Sequence, residues 1–345
     1  MHRVDELSDR EARVLEAVIQ HFIETAEPAG SQAVAKRCGL GVSAATVRNT
    51  MSELEAEGYL YHTHTSSGRI PTDLAYRVYV SRLMRTEPPS ASVRARLENE
   101  VVAGGSTIEQ ILDRAARVLG VLTQELGVAV APALDAAVLD RMELARLSSE
   151  RLLVALTVQR NVVRTIFVEI PGVLASEVIE SVSRILNERL AGLTLGEIRR
   201  TVRDRLRDAG PSARDVQLLN VFVTQSDELF DLDPEGARVM LGSAQPLADQ
   251  PEFATNTRMR DLLELTERRD VLRKALDQHR KRGLVITIGA ENADPRLAEF
   301  TLVTSSYRHG SLTGVLGVLG PTRMPYDKII GLVDHTSRLV EGLME

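Results

Sequence analysis

The chain has 345 residues, a hydrophobic content of 43% and a formal net charge of −6. This length is typical of about two to three domains, and the hydrophobic content is sufficient for buried cores. An acidic total excludes a protein whose whole surface is coated by nucleic acid, but it allows a local cationic face. Because Cys38 is the one cysteine, an intramolecular disulfide and a cysteine cage for a metal are both excluded.

The hydropathy pattern predicts a cytoplasmic protein that does not span a membrane. The start of the chain, MHRVDELSDREARVL, contains no apolar segment of signal-peptide length, and no run of about 18 apolar residues occurs anywhere. A single cysteine agrees with a cytoplasmic location, since the cytosol keeps thiols reduced.

Three helices are predicted near the start of the chain. Ser8 and Glu11 have the spacing of a capping box, and the apolar residues after them share one helical face. A short helix at residues 31–38, a glycine-bearing turn at residues 39–41 and a helix capped by Ser43 come next. This order is that of a helix-turn-helix.

The second helix of this pair has a small, polar outer face. Val47, Met51 and Leu54 share one stripe, which leaves the opposite side to small or polar side chains. Such a helix fits the major groove of DNA, where asparagine and arginine bond the edges of adenine and guanine. For this helix taken alone, an ordinary solvent-exposed face stays open as the alternative.

The stretch HTSSGRIPT, residues 64–72, predicts a small hairpin. The preceding YLYHTH is rich in Tyr and Thr, the Ser-Ser-Gly sequence turns the chain, and Pro71 ends strand pairing before a helix capped by Thr72. Between Tyr61 and Arg85, four arginines and one aspartate give a local charge of +3. A cationic hairpin after a helix-turn-helix predicts a winged helix that contacts phosphates or a minor groove. The alternative is a polar surface hairpin.

Several segments together indicate a family. SAATVRNTMSELEAEGYLYHTHTSSGRIPTDLAYRVYV resembles the N-terminal signature of the bacterial heat-inducible transcription repressor family, HrcA. VMLGSAQPLADQPEF, ITIGAEN and GVLGVLGPTRMPYDKII are similar to the family's later motifs. The resemblance is weakest between about residues 87 and 195. It implies an α+β fold with an N-terminal winged helix-turn-helix, a GAF-like α/β domain with an antiparallel sheet, and an inserted dimerisation domain.

The resemblance also implies a function. Members of the family repress chaperone operons by binding an inverted-repeat operator of the CIRCE type in double-stranded DNA, and the GroEL chaperonin keeps them active. A homodimer would place two winged helices on two half-sites, so that the dyad of the protein matches that of the operator. Two alternatives stay open: a winged-helix regulator gated by a small-molecule ligand in the GAF-like domain, and a protein-binding module that does not bind DNA.

Domain boundaries follow from the resemblance and from the strand pattern. We expect the winged-helix domain at residues 1–86, the first part of the GAF-like domain at 100–199, the inserted dimerising domain at 200–265 and the second GAF-like part at 266–345. VAVAPAL, RMELARLS, RLLVALTVQ and VVRTIFVEI are strand candidates, and the short turns between the last three predict an antiparallel sheet. Strand signals return only at GLVITIGAEN, FTLVTSSYR and LTGVLGVLGP.

No enzyme, cofactor or metal site is predicted. The glycines of GVLGVLGP are separated by Val and Leu and end in Gly-Pro, which favours a buried strand over a phosphate-binding loop. His62 and His64 have no acid or cysteine partner at metal-ligand spacing. No catalytic triad or carboxylate pair is apparent. Arg323, in the GPTRM motif, has no assigned ligand.

The predicted DNA contacts form three groups. For bases or the groove we expect Thr46, Arg48 and Asn49, and for positioning on the DNA backbone we expect Ser43 and Thr50. For phosphates or a minor groove we expect contacts from His64, Ser66, Arg69, Thr72 and Arg77.

Overall fold

The computed structural model of the protein describes residues 7–39, 41–62, 68–103, 107–132, 134–158, 162–170, 172–207, 209–230, 239–280, 282–310 and 312–344. The chain forms two compact units. The first comprises Met1–Val130, Val239–Tyr307 and Val315–Met344, and the second comprises Ala131–Arg238 and Arg308–Gly314. Helices and antiparallel sheets occur together, which confirms the α+β class.

The first unit begins with a small helical segment, residues 7–83, which we call the N-terminal bundle. Its elements are α1 (Asp9–Thr25), α2 (Ser31–Arg37), α3 (Ala44–Ala56), β1 (Leu60–Tyr61), β2 (Ile70–Pro71) and α4 (Asp73–Val78), which continues as a π-helical turn, Tyr79–Leu83. Ser8 and Glu11 form the predicted capping box at the start of α1. Val14, Leu15 and Val18 are fully buried on one face of α1, which packs against α2 and α3.

The rest of the first unit is a five-stranded sheet with its helices, which we call the sheet body. Its strands are β3 (Leu126–Val130), β7 (Val239–Leu241), β8 (Leu284–Ile288), β9 (Phe300–His309) and β10 (Leu312–Pro321), in the order β7-β3-β10-β9-β8. Its helices are α5 (Ala91–Val102), α6 (Ile108–Thr123), α11 (Gln245–Ala248), α12 (Asn256–Glu267), α13 (Arg269–His279) and α14 (Tyr326–Met344). Helix α6 packs against β3, β7 and α14.

The segment GVLGVLGP is a buried strand, as predicted. It forms most of β10, and its residues from Gly314 to Pro321 are buried between β3 and β9. Gly317 is required here because a Cβ at this position would overlap the carbonyl oxygen of Val303 on β9. The glycines therefore permit close packing of strands and do not form a phosphate-binding loop.

The second unit has its own sheet and its own hydrophobic core. Strands β4 (Leu139–Arg146), β5 (Arg151–Val158) and β6 (Val162–Glu169) are antiparallel and in sequence order. Within the described residues of this unit, the helices are α7 (Ser176–Leu190), α8 (Leu195–Leu206), α9 (Ala213–Thr224) and α10 (Ser226–Phe230). Leu152, Val154 and Leu156 alternate along β5 on the buried face of the sheet.

The division between the units differs from the expected boundaries. The expected boundaries were residues 100–199 for the first part of the GAF-like domain and 200–265 for the insertion, whereas the second unit runs from Ala131 to Arg238. RMELARLS, RLLVALTVQ and VVRTIFVEI do form the predicted antiparallel sheet, but this sheet is separate from that of the sheet body. Residue alternation predicts a strand and its buried face, but it carries no information about which sheet the strand joins.

Candidate nucleic-acid interface

Helix α3 is presented by a tight turn and a side-chain cap. Gly39 and Gly41, in the turn after α2, have φ values of +62° and +65°, which glycine adopts without steric cost. The hydroxyl of Ser43 accepts the backbone N–H of Thr46 at 3.2 Å, so Ser43 is the predicted N-cap. Val47 is fully buried on the inner face. The turn and the cap thus set where α3 begins.

The outer face of α3 carries the side chains predicted to read bases. Arg48 and Asn49 are exposed, and Thr46 is half-buried with its hydroxyl 3.0 Å from that of Ser43. Arginine and asparagine supply the donors and acceptors that can pair with guanine and adenine edges. The structure therefore brings Ser43, Thr46, Arg48 and Asn49 together at one end of a solvent-facing helix.

Thr50 does not belong to this face. It is only 1% exposed, and its hydroxyl donates to the carbonyl of Thr46 at 3.3 Å. The structure contradicts the expected contact between Thr50 and the DNA backbone because a buried hydroxyl cannot reach a phosphate. The signal was present in the sequence, since Thr50 is three residues after Val47 and four before Leu54, on the apolar stripe.

The base of the predicted hairpin is described, but its tip is not. Leu60 pairs with Pro71 and Tyr61 with Ile70, so β1 and β2 form a short antiparallel ribbon. Arg69 extends it, because its backbone N–H and C=O both bond Ala29, each at 2.9 Å. His64 and Ser66 lie outside the described residues, and their DNA contacts stay predictions.

The guanidinium of Arg69 is engaged by a carboxylate of α3. It lies 2.7 Å from Glu55, and the Arg69 side chain is 18% exposed. His62 also bonds Glu55, so this one carboxylate holds both side chains. Glu55 is not predictable from the sequence as a partner of Arg69, because its role depends on the folding of the ribbon against α3. A DNA phosphate that binds Arg69 would compete with Glu55 for this guanidinium.

Thr72 and Arg77 also have partners within the protein. The hydroxyl of Thr72 caps α4, as predicted, by accepting the N–H of Ala75, and it donates to the carbonyl of Gly58 at 2.8 Å. The Arg77 guanidinium donates to the Glu291 carboxylate, with Nε at 2.6 Å, and to the carbonyl of Ile286 at 2.6 Å. In this conformation both side chains serve the packing of the first unit.

The buried titratable groups of the sheet body include Glu125 and His279. Burial raises the pKa of Glu125 well above its ordinary value, although a hydrogen bond donated by Gln250 at 3.0 Å partly opposes this shift. Burial lowers the pKa of His279 to about 4, and its Nδ1 lies 2.9 Å from the hydroxyl of Thr304. Both shifts favour the neutral form of the side chain.

The described part of the chain offers no metal cluster and no membrane span. Among those residues, no three His, Cys, Asp or Glu side chains come together in a group that could hold a metal ion. Within the same ranges, no helix is long and apolar enough to cross a bilayer.

Comparison with known proteins decides the family. The profile described as "HrcA protein C terminal domain" matches residues 109–330. The heat-inducible transcription repressor HrcA of Chlorobium luteolum is 38% identical over 343 residues, which cover 96% of this chain and 95% of the relative. The HrcA of Geobacter sulfurreducens is 36% identical over 344 residues, covering 99% of each chain. This chain belongs to the HrcA family.

The family assignment confirms the resemblance that the sequence motifs indicate. HrcA proteins carry the name of heat-inducible transcription repressors, in agreement with the repressor and heat-shock character expected from the motifs. A crystal structure described as that of a hypothetical protein at 2.2 Å resolution aligns over 98% of this chain and 99% of its own, with a TM-score of 0.61 and 23% identity. The two proteins share this fold.

Proposed function

We propose that this member of the HrcA family is a cytoplasmic, homodimeric repressor of heat-shock chaperone operons that binds an inverted-repeat operator of the CIRCE type. The observation that carries the proposal is the exposed Arg48–Asn49 face of α3, which is capped by Ser43 and stands beside a two-stranded ribbon. This is the element order of a winged helix, whose second helix enters the major groove.

The N-terminal bundle then acts as the reader of one half-site. Helix α3 places Thr46, Arg48 and Asn49 against base edges, and the exposed hydroxyl of Ser43 positions the helix on the DNA backbone. The hairpin after β1 approaches the neighbouring phosphates or minor groove. Arg69 joins this contact when a phosphate takes the place of Glu55, because both are anionic acceptors for a guanidinium.

An exposed apolar face in the second unit supports the homodimer. Phe167 and Val163 on β6 are each 60% exposed and point to the same side of the sheet. Leu153, half-buried on β5, is the register partner of Phe167, so apolar side chains continue across two strands. Pairing of this face with that of a second copy would remove it from water. The second unit would then be the dimerising insertion, and the sheet body the GAF-like domain.

The family resemblance supplies the proposed regulation. Free GroEL chaperonin keeps the repressor active, and heat stress withdraws the chaperonin by loading it with unfolded proteins. Repression then lapses until the unfolded proteins are cleared.

A gel-shift titration tests the proposal directly. The probes are an inverted-repeat duplex from the upstream region that footprinting identifies, a single half-site and a random duplex, all at one stated salt concentration and with or without GroEL. We expect preferential binding to the inverted repeat and a higher active fraction with GroEL. Equal binding to the repeat and the random duplex would contradict operator recognition, and no binding to any duplex would favour a protein-binding module that does not bind DNA.

The variant Asn49→Ala tests the base-reading role of α3. Loss of a bidentate contact to one base should cost about 1 to 3 kcal/mol of operator binding and relax the preference at that base pair. Binding to random DNA should change little. Asn99→Ala is a matched control, because Asn99 is an exposed asparagine in α5, outside the N-terminal bundle. An Asn49 variant with unchanged base preference would refute this role.

A cavity in the sheet body favours ligand gating as the second candidate function. Its volume is about 400 Å³, with apolar walls from Phe253, Leu265 and Phe300 and a charged rim that includes Arg258 and Glu299. This volume is in the range of small-molecule sites. If a metabolite gates the repressor, operator affinity should change when metabolite extract is added and return after dialysis. Unchanged affinity in both steps would remove this candidate.

A further inference from the structure

Arg323 links the sheet body to the N-terminal bundle. It lies in the GPTRM motif, in the turn between β10 and α14, and its side chain is 13% exposed. Its guanidinium binds both carboxylate oxygens of Glu252, with Nη2 to Oε2 at 2.9 Å, and its Nη1 donates to the backbone carbonyl of Ile23 at 2.8 Å. The Arg323 side chain thus binds Glu252 of the sheet body and Ile23 of the N-terminal bundle at the same time.

The carbonyl of Ile23, at the end of α1, has no partner within the helix and is available to a side-chain donor. The last backbone hydrogen bond of α1 runs from the N–H of Ala26 to the carbonyl of Phe22. The next carbonyl, that of Ile23, therefore accepts no helical backbone N–H. Carbonyls in the last turn of a helix carry partial negative charge, and a cation there is favourable. Arg323 therefore supplies the cationic cap of α1, which itself contains no basic residue in its last turn.

The surroundings of Arg323 keep this link rigid. The hydrogen bond to Glu252 is the main cause that raises the pKa of Arg323, so the guanidinium stays charged. Glu252 lies in a short 3-10 turn, Pro251–Phe253. On the bundle side, Tyr76 of α4 is buried with its ring 5.9 Å from that of Tyr326. A planar guanidinium that makes three charge-assisted bonds holds its partners in one orientation.

The buried face of α1 carries this constraint to the DNA-reading helix. Ile19, four residues before Ile23, is fully buried, and α1 packs directly against α3. Because the two helices share one close-packed core, a displacement of α1 is transmitted to α3. Holding the end of α1 therefore holds α3.

We propose that Arg323 is a positioning residue for operator binding. By holding the end of α1, it sets the angle of the N-terminal bundle on the sheet body, and so the separation of the two α3 helices in the homodimer. This inference rests on the proposed function. A dimer that reads two half-sites needs a fixed distance between its two α3 helices. If the N-terminal bundle could reorient on the sheet body, that freedom would be lost on DNA binding, at an entropic cost.

The test is a series of operator duplexes with constant half-sites and a spacer changed by one or two base pairs in either direction. For the wild-type protein we expect one preferred spacing and a steep loss on both sides of it. Arg323→Gln should lose about tenfold in affinity at the preferred spacing, as expected for charge-assisted bonds, and should show a flatter spacing profile. Its affinity for a single half-site should stay unchanged.

Two further variants separate positioning from folding. Glu252→Gln removes the anionic partner but leaves Arg323 able to reach Ile23, so its spacing profile should fall between those of wild type and Arg323→Gln. Arg338→Gln is the matched control, because Arg338 is an arginine of α14 with a side chain 75% exposed that pairs with Asp334 on the same helix. Its profile should equal that of wild type.

The outcomes are distinguishable. If wild type does not prefer an inverted repeat to random DNA, the proposed function fails. If wild type prefers the repeat but accepts all spacings equally, or if Arg323→Gln keeps the steep profile, the inference about Arg323 fails while the proposed function stands. An equal loss on every duplex, single half-site included, would likewise overturn it, since that result indicates a general loss of folded protein.

Discussion

At the scale of single residues, the structure separates charges that face solvent from charges that have partners. Arg48 is exposed, whereas Arg69 and Arg77, counted together in the local excess of +3, bind Glu55 and Glu291. Summing charges over one segment of the sequence omits the carboxylates of other elements that pair with those arginines. If Arg69 binds a DNA phosphate as proposed, that phosphate competes with the carboxylate of Glu55.

The variant Arg69→Ala measures this exchange. If Arg69 reaches a phosphate in the complex, its loss should weaken operator and random DNA alike and reduce the slope of log affinity against log salt by about one unit. Arg37→Ala is a suitable control, because Arg37 also belongs to the N-terminal bundle and binds a carboxylate there, that of Glu24. An unchanged salt slope for Arg69→Ala would show that Arg69 only supports the hairpin.

Glu125 predicts a pH dependence of stability. Burial raises its pKa in the folded state above the ordinary value of 4.5. In the pH range above that value the folded protein binds more protons than the unfolded chain, so stability falls as pH rises. Glu125→Gln removes this proton linkage. We expect urea unfolding between about pH 5 and pH 8 to show a smaller loss of stability in the variant. Parallel pH profiles for the two proteins would contradict this.

At the scale of elements, close approach between a helix and a strand sets the core of the sheet body. Gly127 on β3 faces α6, and a Cβ at this position would overlap the carbonyl oxygen of Ala116. Gly120 on α6 faces Gly127, and a Cβ added to Gly120 would lie 3.2 Å from the backbone nitrogen of Gly127. Two glycines therefore let the helix approach the sheet more closely than any other pair of residues would.

Gly127→Ala should therefore be strongly destabilising. Relief of the overlap needs a shift of backbone, which typically costs about 1 to 3 kcal/mol. Gly342→Ala is the matched control, because no atom lies within 4 Å of a Cβ added there and Gly342 is inside helix α14. Because Gly342 lies in the last turn of α14, that change should raise stability by at most about 0.5 kcal/mol. Chemical denaturation of both variants checks the contrast, and equal effects would show that the approach of α6 to β3 is not limiting.

At the scale of the whole molecule, the chain leaves the sheet body after Val130 and returns to it at Val239. The stretch between them builds a second core, with strands β4 to β6 on one side and helices on the other. The outer face of that sheet carries Phe167 and Val163, which are exposed in a single chain. Large apolar side chains grouped on a sheet face are typical of an interface.

Phe167→Glu should weaken the proposed homodimer. A carboxylate buried against an apolar partner face is costly to desolvate. The variant dimer should therefore dissociate at a higher protein concentration than the wild-type dimer, while the monomer stays folded. Leu263→Glu is the control, because Leu263 is an exposed leucine, 53% accessible, on α12 of the sheet body. Light scattering over a dilution series gives the result. A Phe167 variant that dimerises like wild type would move the interface elsewhere.

Much of the local structure could be predicted because it depends on neighbours in the sequence. The N-caps of α1, α3 and α4 are Ser8, Ser43 and Thr72, as predicted. An N-cap depends only on a backbone N–H two or three residues further along the chain. The buried strand at GVLGVLGP was likewise predictable from its uninterrupted apolar run. Thr50 was misjudged although its spacing placed it on the buried stripe.

The sequence by itself determined the family, the caps, the strands and the exposed face of α3, because motifs and periodicity are properties of adjacent residues. Only the tertiary structure decided that β4 to β6 form a separate sheet, that Glu55 and Glu291 engage Arg69 and Arg77, and that Arg323 holds the end of α1. Each of these depends on residues brought together from distant parts of the chain. Such contacts are selected by packing of the whole fold, and no local pattern encodes the partner.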